Sequence, residues 1–264
     1  MKKIILSLSL SALLFGCTEQ VDVPLTDSAE KIVVEAYVCT EVDSSFVRIS
    51  KTIPYFSKEK PPVVSNAVVE VFDGSQTLLF NYVGDGVYKP IAGYKADTSK
   101  QYNLKITHEG KSYESNAYLY PMFDVETELD LEFKKAEFFL EEGFAVTYWS
   151  IDRRPGDIYT VFTTWENDTA QDFRIIFGSE ELVKYERRPF ELPFYRAQPG
   201  DTLSLIFKSI GKVQADYIIA LDQLTGGAGG PFQTPPANPP TNINGGALGY
   251  FKACDVVRVG KRIP

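Results

Sequence analysis

From Lys31 onward the chain alternates apolar and polar positions with a period of two. Ile32, Val34, Ala36 and Val38 fall on one face, while Val33, Glu35, Tyr37 and Cys39 fall on the other. That pattern predicts a strand buried on one face and partly covered on the second. Ser45–Ser50 and Ala67–Phe72 predict two more short strands. Tyr102, Leu104 and Ile106 alternate with Gln101, Asn103, Lys105 and Thr107, and Glu109-Gly110 turns the chain into a strand over 111–118. Asp73-Gly74 and Asp85-Gly86 are hairpin-turn dipeptides. Short strands with turn signals at this spacing predict an antiparallel, Ig-like β-sandwich over residues 31–120.

Residues 121–264 are also strand-rich but less regular. Val125–Phe133, Phe144–Ile151, Asp157–Glu166, Phe173–Phe177 and Leu203–Ile210 read as strands, with turns at Arg153-Arg154-Pro155-Gly156 and Pro199-Gly200-Asp201. One segment, 213–224, reads as a helix: Val213, Tyr217, Ala220 and Leu221 recur at helical spacing and Gly226-Gly227 stop it. Residues 226–246 follow, where eleven of 21 positions are Gly or Pro and none is charged. Two further strand patterns come after them, Ala247–Ala253 and Val256–Val259, so the segment is expected to be a long loop packed on the body rather than a linker. The expected fold is therefore mainly β: the sandwich, then a second antiparallel β domain with one helix and a packed Gly/Pro loop.

The first seventeen residues follow a different pattern. Lys2 and Lys3 precede an apolar run from Ile4 to Leu14, and Leu14-Phe15-Gly16-Cys17 closes it. A basic head, a short apolar core and a small residue before the cut predict a secretory signal over 1–16. Cys17 stands where a bacterial lipobox places the thiol that receives diacylglycerol. Acyl chains on Cys17 would hold the chain at a membrane, because each buried methylene contributes about 0.8 kcal/mol. Residues 17–30 then read as a polar tether. No other stretch approaches the roughly 18 apolar residues of a spanning helix. Glu19 and Asp22 are the only charges just after Cys17, which leaves periplasmic and surface-facing orientations both open.

Composition narrows the functional classes. Removing residues 1–16 takes two lysines and leaves 25 basic against 35 acidic side chains. An acidic body of this kind argues against nucleic acid as a partner, since no phosphate-neutralising excess is available. After Cys17 only Cys39 and Cys254 remain, and outside the cytoplasm they are candidates for a disulfide joining the first strand to the last, or for two buried free thiols. His108, the only histidine, lies beside the Glu109-Gly110 turn, so neither a Ser-His-Asp nor a Cys-His nucleophile arrangement is indicated. Two Cys and one His do not make a zinc site of the usual kind, no phosphate-loop signature is present, and no cofactor or metal is expected. Tyr148, Phe162 and Trp165 fall in two neighbouring strands and are candidates for stacking a ligand, with core packing as the alternative use.

One ordered string is more specific. Phe232, Pro235-Pro236, Asn238-Pro239, Asn242-Ile243, Gly245-Gly246 and Ala247-Leu248-Gly249-Tyr250-Phe251 together resemble the C-terminal signature of the Bacteroidota lipoproteins called domain of unknown function 4249. The 31–36 strand close behind the lipobox, the Val64–Val71 pattern, Gly86-x-Tyr88 and Tyr102-x-Leu104-x-Ile106 agree in order. The resemblance implies a lipid-anchored outer-membrane protein, often encoded beside a TonB-dependent receptor, and it carries over no catalytic residue. Within the signature, Phe232, Pro236, Asn238, Asn242, Gly245, Gly246 and Gly249 are expected to serve structure, because Asn and Gly accept left-handed backbone and Asn bonds nearby main chain. The expectation is a non-enzymatic accessory protein that binds an unknown ligand or a TonB-dependent receptor. A structural or adhesive envelope protein is the alternative, and a carboxylate-based glycan hydrolase is the third.

Overall fold

The computed structural model describes residues 29–54, 57–151, 158–166, 169–176, 186–193, 195–225 and 239–264; between 158 and 176 it describes the backbone only. The architecture is mainly β and sandwich-like. Seven strands form in the N-terminal half: β1 (Ile32–Cys39), β2 (Phe46–Lys51), β3 (Val68–Phe72), β4 (Thr77–Gly84), β5 (Val87–Lys89), β6 (Lys100–His108) and β7 (Lys111–Leu119). The β4–β5 and β6–β7 hairpins turn at Asp85-Gly86 and Glu109-Gly110, where Asp85 and Glu109 both take φ of 48°. These seven strands do not complete their own sheet. Strand β15 (Leu248–Cys254) lies parallel to β1, and the sheet runs β15-β1-β2-β5-β4-β3-β6-β7. The first body therefore draws its edge strand from the C-terminal end of the chain, in addition to residues 31–120.

The inward face follows the predicted alternation. Val34, Val47, Ile49, Val69, Val71, Leu104, Ile106, Leu119 and Phe251 share one core. The signature loop closes this body. Asn242 Oδ1 accepts the Phe251 amide at 2.9 Å, and Asn242 Nδ2 donates to the Phe251 carbonyl at 2.8 Å. On the other side, the Asn242 carbonyl accepts the Ser115 hydroxyl at 2.7 Å and the Asn244 amide donates to Glu114 O at 2.7 Å. One short segment thus ties β15 to β7, covering sheet edges that would otherwise leave backbone groups unpaired.

The second body is built from β8 (Asp124–Val125), β9 (Asp130–Lys134), β10 (Gly143–Ile151), β11 (Ile158–Glu166), β12 (Thr169–Ile176), β13 (Arg188–Glu191), β14 (Thr202–Gly211) and β16 (Val256–Arg262). They form two sheets, β13-β10-β8 with β9 also on β10, and β12-β11-β14-β16. Val125–Phe133, expected as one strand, is two, because the chain turns between β8 and β9 so that both can pair with β10. Leu129, Val146, Tyr148, Leu203, Leu205, Phe207 and Val259 fill the core between the sheets. The helix, α1 (Lys212–Thr225), follows β14 directly. Its inward residues are Ala215 and Ile218, whereas Val213, expected inside, is 58% exposed. Among the described residues no helix is long and apolar enough to cross a membrane.

Candidate functional site

Strands β1 and β15 carry a second apolar face, directed away from the sandwich core. Their parallel register sets Glu35 beside Tyr250, Tyr37 beside Lys252, and Cys39 beside Cys254. Helix α1 covers this face. Tyr37, Cys39, Cys254, Ile210 and Ala215 pack together, with Phe46, Ile218 and Val256 against them. The helix is held there partly by Gln214, which is buried and accepts the Gly211 amide at 3.0 Å, satisfying a donor at the helix start.

The covering is incomplete. A pocket of about 390 Å³ remains between α1 and the two strands, lined by Phe46, Tyr217, Ile218, Leu221, Tyr250 and Lys252, with Glu35, Tyr37 and Gln214 at its polar positions. Its size is that of small-molecule sites, which are mostly apolar with a few placed polar groups. Tyr217 from the helix and Tyr250 from the strand meet at 4.8 Å between ring centroids.

The charge in the pocket is unusual. The half-buried Lys252 places its ammonium 4.9 Å from the Tyr37 ring centroid, and Lys208 approaches the same ring at 5.5 Å. Among the described residues Lys252 has neither an ion-pair nor a hydrogen-bond partner. Burial holds it below the ordinary lysine value, and Lys208 pushes in the same direction. Cys254 is no counter-ion: burial pushes its thiol up to about 12, and it donates to the Tyr37 hydroxyl at 2.9 Å. Among the described residues Glu35 is the one carboxylate lining the pocket, and it lies 4.0 Å from Arg48.

The other residues singled out in the sequence are dispersed. Cys39 and Cys254 are cross-strand neighbours but are buried as free thiols. Tyr148 is 3% exposed and packs on Phe190 and Phe207, so it is a core aromatic and not a binding one. Its neighbour Trp149 takes the outer face instead, with the Arg187 guanidinium 3.7 Å over its ring and Asp130 accepting its indole N–H at 2.5 Å. The strand over 144–151 is legible from its apolar and aromatic content, but which of its residues face inward is not. Phe162 and Trp165 lie on β11, with side chains outside the described residues, as are Cys17, Phe232, Pro236 and Asn238. Asn242, Gly245 and Gly246 lie in the segment that ties β15 to β7, and Gly249 lies in β15 itself. His108 is buried at the end of β6, with Glu109 Oε1 3.6 Å from Nε2. Among the described residues no three His, Cys, Asp or Glu side chains cluster as metal ligands would.

Comparison with protein families matches the chain to the domain of unknown function DUF4249 over residues 18–259. The chain belongs to this family. No curated protein matches it. The matched span holds β1–β15, α1 and the start of β16, so the seam between the two bodies and its pocket belong to the DUF4249 unit itself. Sequence reasoning named Tyr250 and Cys254 but passed over Lys252. The available signal was a lysine flanked by Tyr250 and Cys254 in a strand whose alternate positions, Phe251 and Ala253, are also apolar.

Proposed function

We propose that this DUF4249 chain is a non-enzymatic binding protein of the cell envelope, anchored by lipid at Cys17 and acting at the outer membrane as an accessory to a TonB-dependent receptor. The observation that carries the binding role is the pocket beneath α1. A half-buried ammonium with no ion-pair or hydrogen-bond partner among the described residues costs stability, and a group retained at such a cost fits a ligand seat better than a packing role. The anchor rests on the Leu14-Phe15-Gly16-Cys17 sequence, and the receptor on the family resemblance. The test is affinity purification of the tagged full chain from gently solubilised outer membranes, followed by mass spectrometry. Stoichiometric recovery of a TonB-dependent receptor supports the reading, and its absence overturns the accessory role. Cys17→Ala should release the protein from membranes; retention there would overturn the anchor.

A second reading, a structural or adhesive envelope protein, is favoured by one feature. The hairpin between β9 and β10 ends in Phe138-Phe139, both wholly exposed, and Phe138 takes a left-handed φ of 47°. Two adjacent exposed aromatics at a loop tip suit insertion into a partner's apolar socket. Under this reading, replacing both by Ser abolishes recovery of whatever protein co-purifies, while changes in the α1 pocket leave it intact.

A further inference from the structure

The seam pocket has the chemistry to select its ligand, and this step rests on the binding-protein reading above. We propose that it seats a small amphiphilic anion, a carboxylate with an aromatic or branched apolar body, whose charge docks on Lys252. The apolar body has its surface in Phe46, Tyr217, Ile218, Leu221 and Tyr250, and a volume of about 390 Å³ accommodates a phenyl ring with a short chain. Among the described residues, the charge has its site in the one ammonium that lines the pocket, which has no ion-pair or hydrogen-bond partner there.

Other ligand classes fit less well. A cation would face Lys252, with Lys208 approaching the same Tyr37 ring. A sugar needs several directed hydrogen bonds, yet the one side-chain amide among the described residues lining the pocket, Gln214, already spends its oxygen on the Gly211 amide. Phosphate alone would leave the aromatic walls unused and would meet one ammonium, where phosphate sites usually offer an Arg fork or a row of backbone amides. A carboxylate uses what is present. It converts an unpaired, half-desolvated ammonium into a charge-assisted pair in surroundings of low polarity, where such pairs are strongest.

The test uses full-length lipidated protein in nanodiscs, with empty nanodiscs subtracted, titrated calorimetrically with three isosteric probes: 4-phenylbutyrate, 4-phenylbutanol and 4-phenylbutylamine. The anion should bind at least about tenfold more tightly than the alcohol, as one charged hydrogen bond warrants, and the amine should not bind. Lys252→Met keeps the apolar stem and removes the charge; it should erase the preference for the anion while raising thermal stability, since the unpaired ammonium is gone. Lys252→Arg should keep the preference. Leu221→Trp, filling the pocket from the helix, should reduce binding of anion and alcohol alike. Equal affinity for anion and alcohol, or an anion affinity unchanged by Lys252→Met, overturns the anion class while leaving a binding pocket in place. No binding of any probe at millimolar concentration also overturns it, and the accessory reading is then decided separately by receptor recovery.

Discussion

The Thr40 hydroxyl donates to Asp255 Oδ1 at 2.7 Å, joining residues 215 positions apart in sequence. The same hydroxyl oxygen accepts the Val256 amide at 3.0 Å. Asp255 lies between β15 and β16, where the chain leaves the first body for the second. Its Oδ2 accepts the Met122 amide at 2.8 Å, and Ser209, which also bonds the Tyr120 carbonyl, pairs with the Asp255 backbone in both directions at 3.1 Å. One residue therefore organises three crossings of the seam: its carboxylate holds the end of β1 and the 120–122 connection, and its backbone holds β14. Asp255→Ala should cost about 2–3 kcal/mol, the charged hydrogen bonds it makes being the larger part. In a double-mutant cycle with Thr40→Val, Asp255→Asn should show a coupling of about 1 kcal/mol. Denaturant titration of the four proteins measures it; additivity within about 0.3 kcal/mol would show that the contact does not hold the seam.

Asn242 does with a side chain what a strand does with its backbone, since its amide exchanges two hydrogen bonds with Phe251. Asn242→Leu keeps the volume and leaves both Phe251 groups without partners at the β15 edge. The expected loss is about 2–3 kcal/mol. Asn242→Asp retains the acceptor for the Phe251 amide but sets a carboxylate oxygen against the Phe251 carbonyl, so it should lose nearly as much above the carboxylate pKa and recover part of the loss when protonated. Urea unfolding at pH 7 and pH 4 separates the two variants.

Two glycines of the same signature should respond differently to alanine. Gly249 takes φ of 99°, and a Cβ there would sit 2.0 Å from the Val34 carbonyl oxygen, the neighbour set by the parallel β1–β15 register. Gly246 takes φ of 86°, with no atom within 4 Å of the same added carbon. Gly246→Ala should cost only the left-handed strain, about 1–2 kcal/mol. Gly249→Ala must also push β15 from β1, so it should cost clearly more and loosen the α1 pocket with it. Thermal melts of both variants rank them; equal costs would mean that the strand spacing yields freely.

Much of this fold is written locally. The alternations of β1, β6 and β7, the turn dipeptides, and a helix with Gly behind it are properties of neighbouring residues. Strand β4 was harder to see because Leu78-Leu79-Phe80 and Tyr82-Val83 break the alternation, and Leu79, Tyr82 and Val83 are indeed exposed. Strand β13 contains Pro189, which an edge strand tolerates and a sequence pattern reads as a break. The parallel return of β15 to β1 is non-local. Without it nothing shows what covers the second face of β1, and Lys252 reads as an ordinary solvent-facing lysine. The candidate site was invisible for that reason: its walls come from three segments that only the seam brings together.

The Asp73 turn should set part of the acid response. Asp73 Oδ1 accepts the Ser75 amide and hydroxyl at 2.9 and 2.7 Å and the Gln76 amide at 2.9 Å, with Lys100 3.9 Å from Oδ2. Led by the Gln76 amide, these bonds draw its carboxyl down to about 2 from an ordinary 3.8. A folded pKa below the unfolded one contributes stability that is fully present above about pH 4 and is lost as pH falls through about 2. Asp73→Asn keeps an acceptor for the turn but does not titrate. The stability difference between wild type and Asp73→Asn should therefore be constant from pH 7 to about pH 5 and shrink between pH 4 and pH 2. A difference that stays flat to pH 2 would mean that the carboxylate form is not what the turn selects.

Cys39 and Cys254 face each other across the parallel β1–β15 pair, both buried and unbonded to one another. Burial raises both thiols, Cys254 to about 12, so the reactive thiolate is scarce at neutral pH and solvent access is closed. The folded protein should therefore resist a thiol reagent such as dithionitrobenzoate at pH 8 for as long as it stays folded, with both cysteines reacting at once in denaturant. A single fast-reacting thiol in the native state would show that α1 lifts from the β1–β15 face. Protection that survives the Leu221→Trp filling of the pocket but weakens in Asp255→Ala would assign that lifting to the seam rather than to the ligand seat.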